Sequence, residues 1–267
     1  MARGRKSLEE LKEQLFLDPG NYRLNVEMGF YYLDYDRKMT YKYLKRALRF
    51  CDSQTDTGAI EQLFSDMEYV YPELMGGMEG MMNLLDENED AEFNAIAAGV
   101  ETHGVSHMLE EKYKNASVTW YVDLAQVYQY YNKELDYILM DGDEFLGGFP
   151  GIVLNGIKSA LKPEGRLILR VSNAAWYGRL FDILKGENPD ITGEKSLSHP
   201  YMKDEIANIL EKTGFEAEFS SAKADVPARD MEILNGIIYQ LEDKLPCADI
   251  NEFTNKYYLI KASQRMI

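Results

Sequence analysis

Residues 161–173 read LKPEGRLILRVSN, and the rest of the chain is best read outward from them. Pro163 fixes φ, Gly165 offers the positive φ of a tight reversal and the polar Glu164 sits between them, so the stretch opens as a turn. Arg166 to Val171 then runs Arg, Leu, Ile, Leu, Arg, Val, with two β-branched residues, and reads as a strand. Ahead of the turn, Ile152 to Leu161 places its apolar residues at helical spacing. A helix, a turn and an apolar strand in this order belong to an open, mostly parallel sheet, where ligands sit beyond the carboxyl ends of the strands. Ser172 and Asn173 fall at that end.

The chain has 267 residues, 45% of them apolar, enough for one large core or two modest ones. No apolar run approaches the ~20 residues of a membrane span, and the basic start Met1 to Lys6 leads into SLEELKEQL, not into the apolar core of a signal peptide. A cytoplasmic location is the expectation. Cys51 and Cys247 stand far apart without C-x-x-C spacing, which argues against a disulfide framework or a zinc knuckle. The net charge of −16 opposes nucleic acid as a partner, because phosphate binding requires a basic footprint. The charge is unevenly placed: residues 1–50 hold 11 Lys/Arg against 7 Asp/Glu, and residues 51–100 hold none against 12. A module boundary is expected here, with the acidic block a solvated face and loop.

The first module reads as helices. Ser7 and Glu10 have capping-box spacing, and Leu8, Leu11 and Leu15 form a stripe ended by Asp18-Pro19-Gly20-Asn21. Leu24 to Leu33 and Tyr41 to Phe50 are two further helices, which need Gly58 to Tyr71 or the next domain to cover them. LDPGN as an inter-repeat turn, Gly29 and Tyr32 in one helix, and Thr40, Leu44 and Ala47 in the next resemble a tetratricopeptide repeat, one residue short of the usual spacing. That resemblance implies a protein partner through these helices. Met75, Met78, Met81 and Met82, interleaved with Gly76, Gly77 and Gly80, read as a joint filling the core between modules. The expected division is 1–75 helical, 76–92 joint, 93–267 α/β.

Residues 160–173, ALKPEGRLILRVSN, resemble the late turn and strand of class I S-adenosylmethionine (SAM) methyltransferases. AAWYGRLFDILKGE (174–187) and LSHPYMKDEIANILEKTGFEAE (197–218) resemble the succeeding portion of bacterial members associated with glycan and O-antigen synthesis. The likeness runs from about Asp136 to the C-terminus. It implies a Rossmann-like doubly wound sheet after the helical module, SAM as cofactor and a sugar or glycan hydroxyl as acceptor. FNAIAAGVETHGVSHML (93–109) stands where the family has its glycine loop: Gly99 and Gly104 remain, Val100 or Glu101 takes the middle position, and Ala97 stands in place of the acid. By the resemblance, Gly99, Glu101, Gly104 and Asp123 surround the cofactor, Asp123 taking the ribose hydroxyls at the end of the strand Ser117 to Val122. Asp141, after the strand Tyr137 to Met140, lies close to cofactor or acceptor. The short link before that strand points to a missing or reduced strand and helix.

The family's Glu-His pair after Asp141 is replaced by Phe145 and Leu146. Trp176, Tyr177 and Tyr201 are expected to offer aromatic faces to the acceptor, with His199 taking the hydroxyl proton and the group opening near Ser172 and Asn173. Their other reading is core and lid. His103 and His107 share a helix face without the glutamate of H-E-x-x-H, so a polar contact is expected there and no metal. Phe215 to Phe219 and Asn255 to Ala262 read as closing strands, with a helix from Met231 to Lys244 between them. Two functions remain open: a SAM-dependent methyltransferase, or a methyltransferase-shaped binding and scaffolding protein whose glycine loop has eroded.

Overall fold

A computed structural model describes residues 6–51, 55–75, 77–186, 200–223, 226–241 and 250–265. The chain opens with α1 (Leu8–Leu17), α2 (Tyr22–Tyr32), α3 (Arg37–Arg49) and α4 (Gly58–Val70). The Ser7–Glu10 capping box forms as expected, with both of its reciprocal bonds present. Asn21 and Asp36 cap α2 and α3 with their side chains, which is why each helix starts where it does. Leu11, Leu15, Leu24, Met28 and Tyr32 close one small core, and Gly29 lies so near Leu44 that a β-carbon would sit 2.7 Å from its side chain. Two 3-10 turns, Pro72–Met75 and Met78–Leu84, lead to the sheet.

Next come β1 (Asn94–Ala98), α5 (His103–Lys112), β2 (Ser117–Tyr121), α6 (Leu124–Tyr130), β3 (Leu135–Asp141) and the short α7 (Gly142–Phe145). The chain continues through α8 (Pro150–Ala160), β4 (Leu161–Ser172), α9 (Tyr177–Leu184), α10 (Lys203–Lys212), β5 (Phe215–Lys223), α11 (Ala228–Leu241), α12 (Ile250–Thr254) and β6 (Asn255–Gln264). Among the described residues the sheet has six strands in the order β2-β1-β3-β4-β6-β5. β1 to β4 are parallel, and β6 runs antiparallel between β4 and β5. This is a Rossmann-like, doubly wound sheet: the chain moves outward from β1 to β2, then returns across it to β3, so the switch point lies between β1 and β3.

Alternation along the strands divides the core. Ile96, Ala98, Ile138, Met140, Leu167 and Leu169 face α6, α8 and α10. Ala95, Leu139 and Ile168 face α5 and the methionine-rich turns, where Met75, Met78, Met81 and Met82 are buried as the expected core filler. Residues 86–92 are mostly exposed.

The organising stretch differs from expectation in one respect. Gly165 does not adopt positive φ, and the backbone stays extended from Leu161 to Ser172. Leu161 pairs with Leu135 and Arg166 with Tyr137, so five steps of β4 span two of β3 and the excess bulges out at Lys162 to Gly165. Glycine is required there by proximity: a β-carbon would meet the Leu135 carbonyl oxygen at 2.8 Å.

Candidate functional site

The turn between β1 and α5 lies at the switch point. Gly99 holds φ at +98°, a region that favours glycine, and its N–H donates to the Tyr121 carbonyl at 2.8 Å. Its own carbonyl accepts from Thr102 Oγ1 and from Trp120 Nε1, at 2.9 and 2.8 Å. A β-carbon on Gly99 would lie 2.8 Å from both Glu144 Oε2 and Phe145 Cε2, and one on Gly104 would lie 2.5 Å from Met75 Sδ and 2.9 Å from Glu68 Oε2. Both glycines therefore admit the chain's own side chains to within contact of the backbone.

Above this turn lies a layer of charge. Lys45 Nζ of α3 is 2.8 Å from Glu101 Oε1, and Arg49, one helical turn further along, is 3.7 Å from Glu101 and 3.4 Å from Glu144. Below it, Arg170 projects from the end of β4, 2.9 Å from Asp141 and 3.8 Å from Asp143, with the Tyr257 ring 4.6 Å away. Asp143 accepts from the backbone N–H of Ser172 at 2.7 Å and from its hydroxyl. Four carboxyl groups thus share three cations. Burial pushes Asp141 up to about 8, a rise that Arg170 opposes and that Asp143, Glu101 and Glu144 reinforce. Burial also raises Glu144 against the pull of Arg49. Glu101 moves the other way: its burial penalty is outweighed by Lys45, Arg170 and Arg49, and it stays ionised.

A second polar group continues behind the turn. Glu68 of α4 accepts from Tyr41 at 2.6 Å and lies 3.1 Å from His103 Nδ1, all three being buried. Burial, then the charge of Glu68, holds the Tyr41 hydroxyl well above its ordinary range. His107 Nε2 is 3.0 Å from Ser65 Oγ, so both histidines make polar contacts, and no cluster suited to a metal occurs among the described residues. A cavity of about 250 Å³ between α4 and α5 is lined by Ser65, Asp66, Glu68, Tyr69, His107 and Met108 among others.

The other sequence-derived candidates lie apart. Asp123 is exposed and caps α6, accepting from the Ala125 N–H at 2.9 Å. Tyr201 is 2% exposed in the main core, donates to the Leu146 carbonyl at 2.6 Å, and pairs with Asn173 as a parallel bridge. Asn173 turns its amide to the carbonyls of Glu252 and Asn255. Tyr177 is buried against Trp176 and Phe181, while Lys256 Nζ lies 5.3 Å over the Trp176 ring, whose Nε1 is buried without a hydrogen-bond partner. His199 and Cys247 lie outside the described residues.

Lys45, Arg49, Glu68, Glu144 and Arg170 were not singled out by sequence. Arg170 alone left a local trace, as a cation inside an otherwise apolar strand end.

No family model matches the chain, and no curated protein does. Solved structures do resemble it, SAM-dependent methyltransferases among them. The phosphoethanolamine N-methyltransferase 2 of Haemonchus contortus, solved with phosphomonomethylethanolamine and S-adenosylhomocysteine, is 14% identical; the match covers 72% of this chain and 53% of that one at a TM-score of 0.43. The chain therefore spans about half the length of that protein. A SAM-dependent methyltransferase from Archaeoglobus fulgidus is 13% identical, with coverage of 76% and 94% and a TM-score of 0.45. A possible histamine N-methyltransferase from Thermotoga maritima is 13% identical, with coverage of 76% and 95% and a TM-score of 0.47. The fold rests on strand order and register, not on these loose likenesses. No helix among the described residues is long and apolar enough to cross a membrane.

The cofactor that the sequence resemblance implies does not fit this arrangement. Glu144 and Phe145 occupy the approach to Gly99, Glu101 is already paired with Lys45 and Arg49, and Asp123 caps its own helix.

Proposed function

We propose that this chain is a SAM-dependent methyltransferase acting on a hydroxyl of a sugar or glycan precursor, with its cofactor crevice filled in the present arrangement by Lys45 and Arg49 of α3 and by Glu144 and Phe145 of α7. The observation that carries the reading is the positive-φ Gly99 turn at the switch point of a Rossmann-like sheet, where backbone approaches ligand in such folds. In this reading Gly99 and Gly104 would admit the ligand, Glu101 would meet its ammonium group and Asp123 the ribose, with Asp141 at the adjoining strand end, and all of these would have to exchange their present partners. SAM supplies an electrophilic methyl group, and the protein supplies alignment of the acceptor oxygen. The acceptor side falls to Trp176 and Tyr177, with His199 as base, on the strength of the sequence resemblance.

A second reading is favoured by the filled crevice itself: a methyltransferase-shaped binding or scaffolding protein that uses its helices for a protein partner. Calorimetric titration of the full chain with SAM and S-adenosylhomocysteine separates the two. Saturable heat, with binding weakened tenfold or more by Asp123→Ala, supports the enzyme. No heat at millimolar ligand selects the scaffold. Transfer of labelled methyl from SAM to free or nucleotide-linked sugars tests the acceptor class.

A further inference from the structure

We infer that the cavity between α4 and α5 is a binding site for a small aliphatic diamine. The inference is independent of the methyltransferase reading and of the charged layer over Gly99. It starts from a sequence feature that the proposed function leaves unused: residues 51–100 contain no lysine or arginine. The α4 wall of the cavity is therefore without a basic residue by composition. The one lysine of α5, Lys112, lies over the Tyr113 ring, 4.9 Å from its centre.

The floor of the cavity is Glu68. This residue is 3% exposed, and among the described residues its ion-pair contact is His103, which is a cation only when protonated. Tyr41 donates to Oε1 and His103 Nδ1 lies against Oε2, so about two of the roughly four lone-pair sites of the carboxylate remain. Gly104 leaves room beside them: a β-carbon there would stand 2.9 Å from Glu68 Oε2 and 2.5 Å from Met75 Sδ, in the space between the two. A charge this deep is costly without a permanent cation, and a ligand's ammonium supplies one.

The walls and mouth define the rest of the ligand. Met75 and Met108 present thioether and methylene groups, and the exposed Tyr69 adds an aromatic ring. Asp66 and Glu111 also line the cavity and are exposed, so they belong to its mouth. From floor to mouth the order is carboxylate, apolar girdle, carboxylates. This is the complement of a short methylene chain with an ammonium at each end, and a volume of about 250 Å³ has room for it.

Calorimetric titration of the full chain with putrescine, butylamine and butanediol tests this. Putrescine should bind saturably and about tenfold more tightly than butylamine, and butanediol should give no heat. Glu68→Gln, whose amide oxygen still accepts from Tyr41, should weaken both amines tenfold or more. Should that variant fail to fold, the exposed pair decides. Asp66→Asn combined with Glu111→Gln should abolish the advantage of putrescine and leave butylamine unchanged, while Glu89→Gln, exposed and outside the cavity, should change nothing. No saturable heat at millimolar putrescine, equal binding of butanediol, or unchanged binding by a folded Glu68→Gln overturns the proposal. So does a loss from Glu89→Gln equal to that from the Asp66 and Glu111 pair, which would mark diffuse attraction to an acidic surface.

Discussion

Against one face of the sheet, α6, α8 and α10 bury Leu124, Val127, Leu154, Ile157, Ile206 and Leu210 on strand residues of the same kind. Over its carboxyl end, α3 and the β1–α5 turn enclose four carboxyl groups and three cations. Apolar contact is non-directional and tolerates small shifts, whereas each charge in the second layer has one acceptable set of partners. The first layer holds the sheet together; the second fixes where α3 sits.

Removing the shared cation should break this contrast most sharply. Arg170→Met leaves Asp141 and Asp143 without their cation and should cost about 3–5 kcal/mol in urea unfolding at pH 8. The loss should shrink at pH 5, where Asp141 holds a proton. In the apolar layer, Leu169→Ala should cost about 2–5 kcal/mol through the cavity it leaves, and equally at both pH values. A loss from Arg170→Met that is independent of pH would dissolve the distinction between the two layers.

Asp141 sharpens the comparison further. Its pKa is about 8 when folded against an ordinary 3.8, so the folded state keeps a proton that the unfolded state releases. Stability from this group is present below about 4 and lost as pH rises through 8, at up to ~1.4 kcal/mol per pH unit. Thermal melts at pH 6 and 7 should show Asp141→Asn gaining on wild type by about that amount. A difference constant with pH would place the surplus proton on another carboxyl. The smallest effect concerns a glycine with no part in either layer. Gly214, at φ +81° after α10, should cost roughly 1 kcal/mol on change to alanine, since only the end of Lys158 must move. Gly99→Ala should cost more, because Glu144 and Phe145 also stand in its way.

The same division separates the features that were legible in the sequence from those that were hidden. Local patterns placed α1, the strand around Ile168, the closing pair β5 and β6, and the burial of the methionine turns, because side-chain periodicity reports which face is covered. Among the described residues the sheet has no further strand between β2 and β3, in keeping with the short link there. Gly165 misled because a glycine can be demanded by a neighbour's carbonyl as well as by φ, and the sequence shows neither. Glu101 was found, but not its partners, since Lys45 and Arg49 stand more than fifty residues earlier and an ion pair leaves no periodic trace. Tyr201 was assigned to an acceptor face on resemblance; its hydroxyl is held by the Leu146 carbonyl in the core.

The distance along the chain between the two halves of the charged layer also sets a clock. During synthesis Lys45 emerges 99 residues before Glu144. At ~5–20 residues per second, α3 waits on the order of 5–20 s before its last acidic neighbour exists. For that interval the basic helices and the acidic segment after them can meet only each other. The nascent N-terminal third must therefore hold its fold through its own apolar clusters, Leu11, Leu24 and Met28 in one and Leu44, Leu48 and Phe64 in the other, and its docking onto the sheet comes late in the making of the protein.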